Sequence, residues 1–134
     1  MDQQPPESRA SSSDSWEKED KAAKALEALR RNYSDRDFSG FFDWVSDDYR
    51  QGWADLRSDL SSGFSGTGSA DLNFVLNRTL PEGDKVAIQV HWQKRTFAAR
   101  TGAAQKSEGS AEFVFQINPT GKPELIDIRG HSPF

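Results

Sequence analysis

The apolar residues of this chain change their period near residue 70, and that change constrains the fold more than any other feature of the sequence. Before residue 70 they recur every three or four positions, which is typical of amphipathic helices. After it they alternate with polar residues, as they do in strands with one buried face. The sequence therefore predicts helices first and a sheet second.

We predict three helices in the first half, each with one apolar stripe. The first should begin at Asp14 or Ser15, because a polar cap there is followed by carboxylates in the first turn. The stripes are, in chain order, Ala22, Ala25, Leu26, Leu29 and Tyr33; Phe38, Phe41, Phe42 and Val45; and Trp53, Leu56, Leu60 and Phe64. They should form one side of an aromatic-rich core.

Four alternating runs in the second half predict strands with one apolar face. The positions predicted to face the helices are Leu72, Phe74, Leu76, Val86, Ile88, Val90, Trp92, Phe113, Phe115, Ile117, Ile126 and Ile128. Residues 81–84 and 118–121 carry the Pro and Gly of short hairpin turns, so the sheet should be antiparallel.

The alternation of the second strand fails after Trp92. Lys94 and Thr96 fall where apolar residues are due, and Phe97 comes one position late. One inserted residue would reset the phase, so we predict a β-bulge in a long bent strand. The expected fold class is α+β, with N-terminal helices packed on the concave face of a curved antiparallel sheet of four or more strands, one of them long and bulged.

The first 13 residues differ in composition from the rest. They are rich in Pro, Ser and Gln, and they predict a disordered polar tail or linker before a single domain over residues 14–134. A polar tail directly after Met1 fits either a native start or the mature part of an exported protein. We favour the second, which implies a periplasmic location, with a cytoplasmic one as the alternative.

Composition excludes several classes of function. The net charge is −4 and Lys and Arg are scattered, so we do not expect a nucleic-acid partner. No apolar run is long enough for a transmembrane segment. The chain has no Cys, and the seven Asp between Asp35 and Asp59 lack the spacing of a calcium loop, so we expect neither metal nor cofactor.

The order of the elements, together with residues 41–49 (Phe-Phe-Asp-Trp-Val-Ser-Asp-Asp-Tyr), resembles the nuclear transport factor 2-like superfamily of cone-shaped α+β domains. The resemblance covers residues 16–134. In that family a short helix ending in a segment like Ser46 to Tyr49 commonly precedes the next helix. The family includes ketosteroid isomerase and polyketide cyclase enzymes, transport adaptors and many bacterial envelope proteins, so the fold alone does not select a function.

The resemblance implies that an enzyme of this family would carry ionisable groups inside the cone. The predicted inward positions carry none, so the sequence favours a non-catalytic binding or interaction domain. The alternative is a small-molecule isomerase or cyclase-like enzyme, or a protein that binds a small apolar ligand. Four aromatic residues are candidates to line such a pocket: Trp44, Tyr49, Trp53 and Trp92.

A candidate interaction face lies on the other side of the predicted sheet. Its polar members are Gln89, His91, Gln116, Asp127 and Arg129. The plainest interpretation is a solvated surface with an ion pair between Asp127 and Arg129. The alternative is a contact face for a partner, either a second copy of the chain in a homodimer or another protein.

Overall fold

A computed structural model of the chain describes the backbone of residues 6–134 and the side chains from Trp16 onward. Three helices precede four strands. They are α1 (Pro6–Ser34), α2 (Phe38–Phe42) and α3 (Trp53–Gly63), then β1 (Thr67–Glu82), β2 (Lys85–Ala98), β3 (Ala104–Ile117) and β4 (Pro123–Gly130). The strands form one antiparallel sheet in the order β1-β2-β3-β4, which confirms the predicted α+β class.

Helix α1 begins at Pro6, earlier than the predicted start at Asp14 or Ser15. Of the predicted polar tail, residues 1–5 lie outside the described residues, and no side chain before Trp16 is described. The predicted apolar stripe of α1, from Ala22 to Tyr33, is confirmed, because all five of its side chains are buried. No helix in the described part of the chain combines the length and the apolar character needed to cross a membrane.

Helix α2 is short, and the chain after it runs along the free edge of β4. The Asp37 side chain caps α2 by accepting the N–H of Gly40 at 2.9 Å. Beyond the helix, the Leu125 N–H donates to the Trp44 carbonyl at 2.7 Å, and the Ser46 N–H donates to the Leu125 carbonyl at 2.9 Å. Residues 44–50 therefore cover part of an edge that would otherwise expose unpaired backbone groups.

The predicted bulge after Trp92 is wrong in its position. The register between β2 and β3 is unbroken along the whole of β2. The extra residues lie in the outer strands instead, at Gly68 and Asn77 of β1 and at Ile126 of β4. The long bulged strand is therefore β1, and β2 keeps one phase from its first residue to its last.

The core between the sheet and the helices is aromatic, as predicted. Phe41, Phe113 and Phe115 are fully buried, and the inward positions of β2 from Val86 to Trp92 are buried as well. Phe74 and Ile128 pack against this core and are partly buried. Since Leu56, Leu60 and Phe64 are also buried, the third predicted stripe is confirmed.

Leu76 lies on the inner face as predicted, opposite Val90 of β2, although it is 47% exposed on the edge strand β1. One predicted inward position, Ile126, is wrong, and a bulge explains it. In β4 the extra residue is Ile126, and its insertion turns Leu125 inward in its place. Leu125 is accordingly fully buried, although the alternation predicts that it points outward.

Candidate functional site

The polar residues predicted for the outer side of the sheet do lie on that side, and three of them join a hydrogen-bonded network around Glu112. The Arg129 guanidinium donates to the carboxylates of Glu112 and Asp127, at 3.0 and 3.2 Å. The Gln89 amide donates to the second oxygen of Glu112 at 3.1 Å. Because Gln89, Glu112 and Arg129 are register partners on β2, β3 and β4, the network crosses three strands.

The two remaining residues of this face lie beside the network. His91 Nε2 is 4.0 Å from a carboxylate oxygen of Glu108, and the Gln116 amide donates to Asp84 at 3.1 Å. An open groove of about 500 Å³ lies on the sheet near Glu108. It is lined by polar residues of the first three strands: Asp71, Asn73, Gln93, Lys94, Arg95, Lys106, Ser107 and Glu108. The outer face thus presents charges of both signs.

The segment between α2 and α3 approaches the network from the β4 side. The Arg50 guanidinium is 3.7 Å from the Asp127 carboxylate, and the Arg50 N–H donates to the Ile126 carbonyl at 2.9 Å. Burial, together with the negative charges of Asp127 and Asp59, raises the pKa of Tyr49 to about 12. The Tyr49 hydroxyl therefore stays neutral at physiological pH.

Lys94 points inward, which contradicts the prediction that the interior holds no ionisable group. Its ammonium nitrogen donates to the Pro133 carbonyl at 2.8 Å. The same nitrogen lies 5.9 Å from the ring centroids of Tyr33 and Trp92. Removal from water lowers the pKa of Lys94. The prediction failed because the supposed phase reset would have turned this side chain outward.

Aromatic rings occupy the interior beside Lys94. The ring centroid of Phe134 lies 4.9 Å from that of Phe41, 5.1 Å from that of Tyr33 and 6.0 Å from that of Phe113. These separations are in the range of favourable aromatic pairs. Burial also raises the pKa of the Tyr33 hydroxyl. The ring of Phe134 thus occupies space that the helices and the sheet enclose.

The four aromatic residues predicted to line a pocket occupy two different parts of the fold. Trp44, Tyr49 and Trp53 belong to the segment from α2 to the start of α3, whereas Trp92 lies on β2. The Trp92 indole N–H donates to the His131 carbonyl at 2.6 Å, and the two rings meet edge to face at 5.9 Å. A ligand pocket formed by the four residues stays a prediction.

Gly109 permits the close approach of Trp92 to β3, and replacing it tests that packing. A Cβ atom at position 109 would lie 2.8 Å from Trp92 Cζ2 and 3.1 Å from His131 Nδ1. Gly109→Ala is therefore expected to lower the free energy of unfolding by about 1–3 kcal/mol, measured by chemical denaturation. Gly63→Ala is the control, because its Cβ meets nothing within 4 Å. Equal losses in both variants would contradict the close contact.

The expectation of no metal can be compared only with part of the chain. Among the residues that the structure describes, no cluster of three or more His, Asp and Glu side chains is placed to hold a metal ion. The absence of a metal and of a cofactor stays an expectation.

Three residues of the site were not predicted from the sequence, and they differ in whether a sequence pattern could have indicated them. Glu112 was identifiable, because it alternates with Phe113 and pairs with the predicted Gln89. Lys94 would have been identified if the alternation of β2 had been continued without a bulge. Phe134 follows the last strand and Pro133, where no periodicity indicates whether a side chain points inward or outward.

Comparison with known proteins identifies relatives by fold and not by sequence. No protein-family model matches the chain, and no curated protein matches it significantly. Among solved structures, a nuclear transport factor 2-like superfamily protein from Salmonella enterica serovar Typhimurium LT2 matches with a TM-score of 0.73 and 11% identity, over 90% of this chain and 93% of that one.

Two further structures have the same architecture. A ketosteroid isomerase-like protein from Erwinia carotovora atroseptica matches with a TM-score of 0.67 and 15% identity, over 84% of this chain and 95% of that one. ActVI-ORFA from Streptomyces coelicolor matches with a TM-score of 0.66 and 12% identity, over 81% of this chain and 91% of that one. At such identities the similarity concerns the fold alone.

Proposed function

We propose that this chain, which has the nuclear transport factor 2-like fold, is a non-catalytic binding domain that pairs with a second copy of itself through the outer face of the sheet. The observation that supports this proposal is the network around Glu112. The Arg129 side chain is 59% exposed and is nevertheless held by two carboxylates. An arginine that is already ordered loses little freedom on binding, and arginines are frequent among the residues that dominate interfaces.

The charges of the outer face favour a second copy of the chain as the partner over a molecule whose charges all have the same sign. Asp71 and Glu108 stand beside Arg95 and Lys106 in the groove, so a polyanion or a polycation would meet like charges there. In a two-fold dimer the same patch of both subunits is in contact, and the patch must complement itself. A face with interleaved charges of both signs meets that requirement.

The interior supports the non-catalytic part of the proposal. Among the described residues, Lys94 is the ionisable side chain that the strands direct inward. Its nitrogen is engaged by the Pro133 carbonyl, whereas a general base must be free to accept a proton from a substrate. The carboxylates of Glu112 and Asp127, which have the chemistry of a base, belong to the outer face.

Sedimentation velocity over a range of concentrations tests the interface. The parent chain is expected to form dimers, and Arg129→Ala is expected to weaken dimerisation about tenfold or more, because an ordered arginine of the proposed interface is removed. Circular dichroism should show that the variant still folds, since the Arg129 side chain is 59% exposed. Arg31→Ala is the matched control: Arg31 is an exposed arginine on α1, away from the outer face, and its removal should leave dimerisation unchanged.

Two results would count against this function. The first is a parent chain that sediments as a monomer at every concentration, or an Arg129→Ala variant that behaves like the control. The second is turnover of a steroid-like or polyketide-like substrate by the parent chain, which would favour the isomerase or cyclase-like alternative.

A further inference from the structure

Residues His131 to Phe134, which we call the strap, follow β4 and cross the inner side of β2 and β3. The chain turns at Gly130, where φ is +85°, a value that favours glycine. Beyond this point β3 continues without β4 beside it, because the pairing of the two strands ends at Ala111 and Gly130. The strap therefore covers inward positions of the sheet that β4 does not reach.

Three hydrogen bonds and the packing of Phe134 hold the strap. The His131 N–H donates to the Ser110 carbonyl at 2.9 Å, and the His131 carbonyl accepts the Trp92 indole N–H at 2.6 Å. The Pro133 carbonyl accepts from Lys94 at 2.8 Å. His131 and Ser132 are exposed, so most of the apolar burial of the strap comes from its last two residues. Displacing the strap would break these three hydrogen bonds and remove the ring of Phe134 from its aromatic neighbours, so a ligand that replaces the strap must supply both kinds of contact.

The strap presents two groups to the interior. One is the aromatic ring of Phe134, which packs against Tyr33, Phe41 and Phe113. The other is the carbonyl oxygen of Pro133, which is the hydrogen-bond acceptor for Lys94. An ammonium group removed from water requires an acceptor, and a neutral carbonyl is a weaker partner for it than a carboxylate is.

We propose that the strap is a displaceable occupant of a ligand site, and that the ligand which replaces it is an aryl carboxylate, with its ring in the place of Phe134 and its carboxylate on Lys94. The aromatic walls are formed by Tyr33, Phe41 and Phe113. The carboxylate replaces a neutral acceptor by a charged one in a site of low polarity, which strengthens the bond to the ammonium. This site lies on the opposite face of the sheet from the proposed dimer interface, so either proposal can fail alone.

Binding of 3-phenylpropionate, measured by isothermal titration calorimetry, tests the proposal. Phe134→Ala is expected to bind 3-phenylpropionate at least about tenfold more tightly than the parent does. In the parent, the ring of Phe134 competes for the site, so the apparent affinity is reduced in proportion to the fraction of molecules whose site is open. Adding Lys94→Met to Phe134→Ala should abolish binding, and 3-phenylpropanol, which lacks the charge, should bind more weakly than the acid.

Lys122→Met, added to Phe134→Ala, is the matched control for the lysine. Lys122 also donates to a backbone carbonyl, that of Asp43 at 2.7 Å, and its nitrogen lies 5.7 Å from the ring centroid of Trp44. Its loss should leave binding unchanged. Equal affinity in the parent and in Phe134→Ala would overturn displacement of the strap, and equal affinity for acid and alcohol would overturn the carboxylate as the ligand class.

A measurement on the parent chain keeps the proposal testable if Phe134→Ala does not fold. The indole N–H groups of Trp92 and Trp53 both donate to backbone carbonyls, of His131 and Ser46 respectively. Saturating 3-phenylpropionate should shift the NMR resonance of the Trp92 indole N–H and leave that of Trp53 in place. Unchanged spectra, or equal shifts of both signals, would count against a site beneath the strap.

Discussion

Replacement of Phe115 by alanine is expected to lower the free energy of unfolding by about 3–5 kcal/mol. Phe115 is fully buried on the inner face of β3, where it lies opposite Val86 of β2. Truncation removes an aromatic ring from a close-packed core, and the surrounding residues can fill the resulting cavity only in part. Urea or guanidinium denaturation followed by circular dichroism measures the loss.

Trp16→Ala is the control for the truncation of a large aromatic residue. Trp16 is 66% exposed on α1, so its removal should change the free energy of unfolding by about 0.5 kcal/mol or less. Comparable losses in the two variants would mean that the inner face of β3 has been misassigned.

Leu125→Ala is expected to cost about 2–5 kcal/mol, because Leu125 is fully buried where β4 meets the helical side. This result would separate the observed phase of β4 from the one that simple alternation predicts, in which Ile126 and not Leu125 points inward. The same denaturation experiment provides the measurement.

Ile126→Ala is the matched control, because it removes the same number of carbon atoms from the neighbouring residue. Ile126 lines a surface groove with Asp127 and Arg129 and is only half-buried. Its truncation should cost about 1 kcal/mol or less. A larger loss at Ile126 than at Leu125 would restore the alternating phase and remove the bulge from β4.

The sequence was sufficient to predict the elements whose apolar period is long and uninterrupted. The stripe of α1 from Ala22 to Tyr33 and the inward set of β2 from Val86 to Trp92 are confirmed residue by residue. The order of elements predicted the fold, because helices followed by a meander can bury both apolar faces in few ways. The outward set that includes Gln89 and Arg129 followed from the same alternation.

The errors occurred where a polar side chain or a bulge interrupts the pattern. Lys94 was treated as a sign of a bulge, because an inward lysine breaks the apolar alternation. A long side chain, however, can remain inward when its ammonium reaches an acceptor, here the Pro133 carbonyl. The true bulges at Asn77 and Ile126 adjoin two consecutive apolar residues, Val75-Leu76 and Leu125-Ile126, which fit either phase, so alternation cannot locate them.

The cover over the edge of β4 has a consequence for the kinetics of folding. The strand pairs of the meander connect neighbours in sequence, whereas the contact of Val45 with Leu125 joins two distant parts of the chain. Closing such a long loop is entropically costly, so this contact should form after the hairpins. Until then the edge of β4 is open to pairing with another molecule, and concentrated refolding should aggregate through β4.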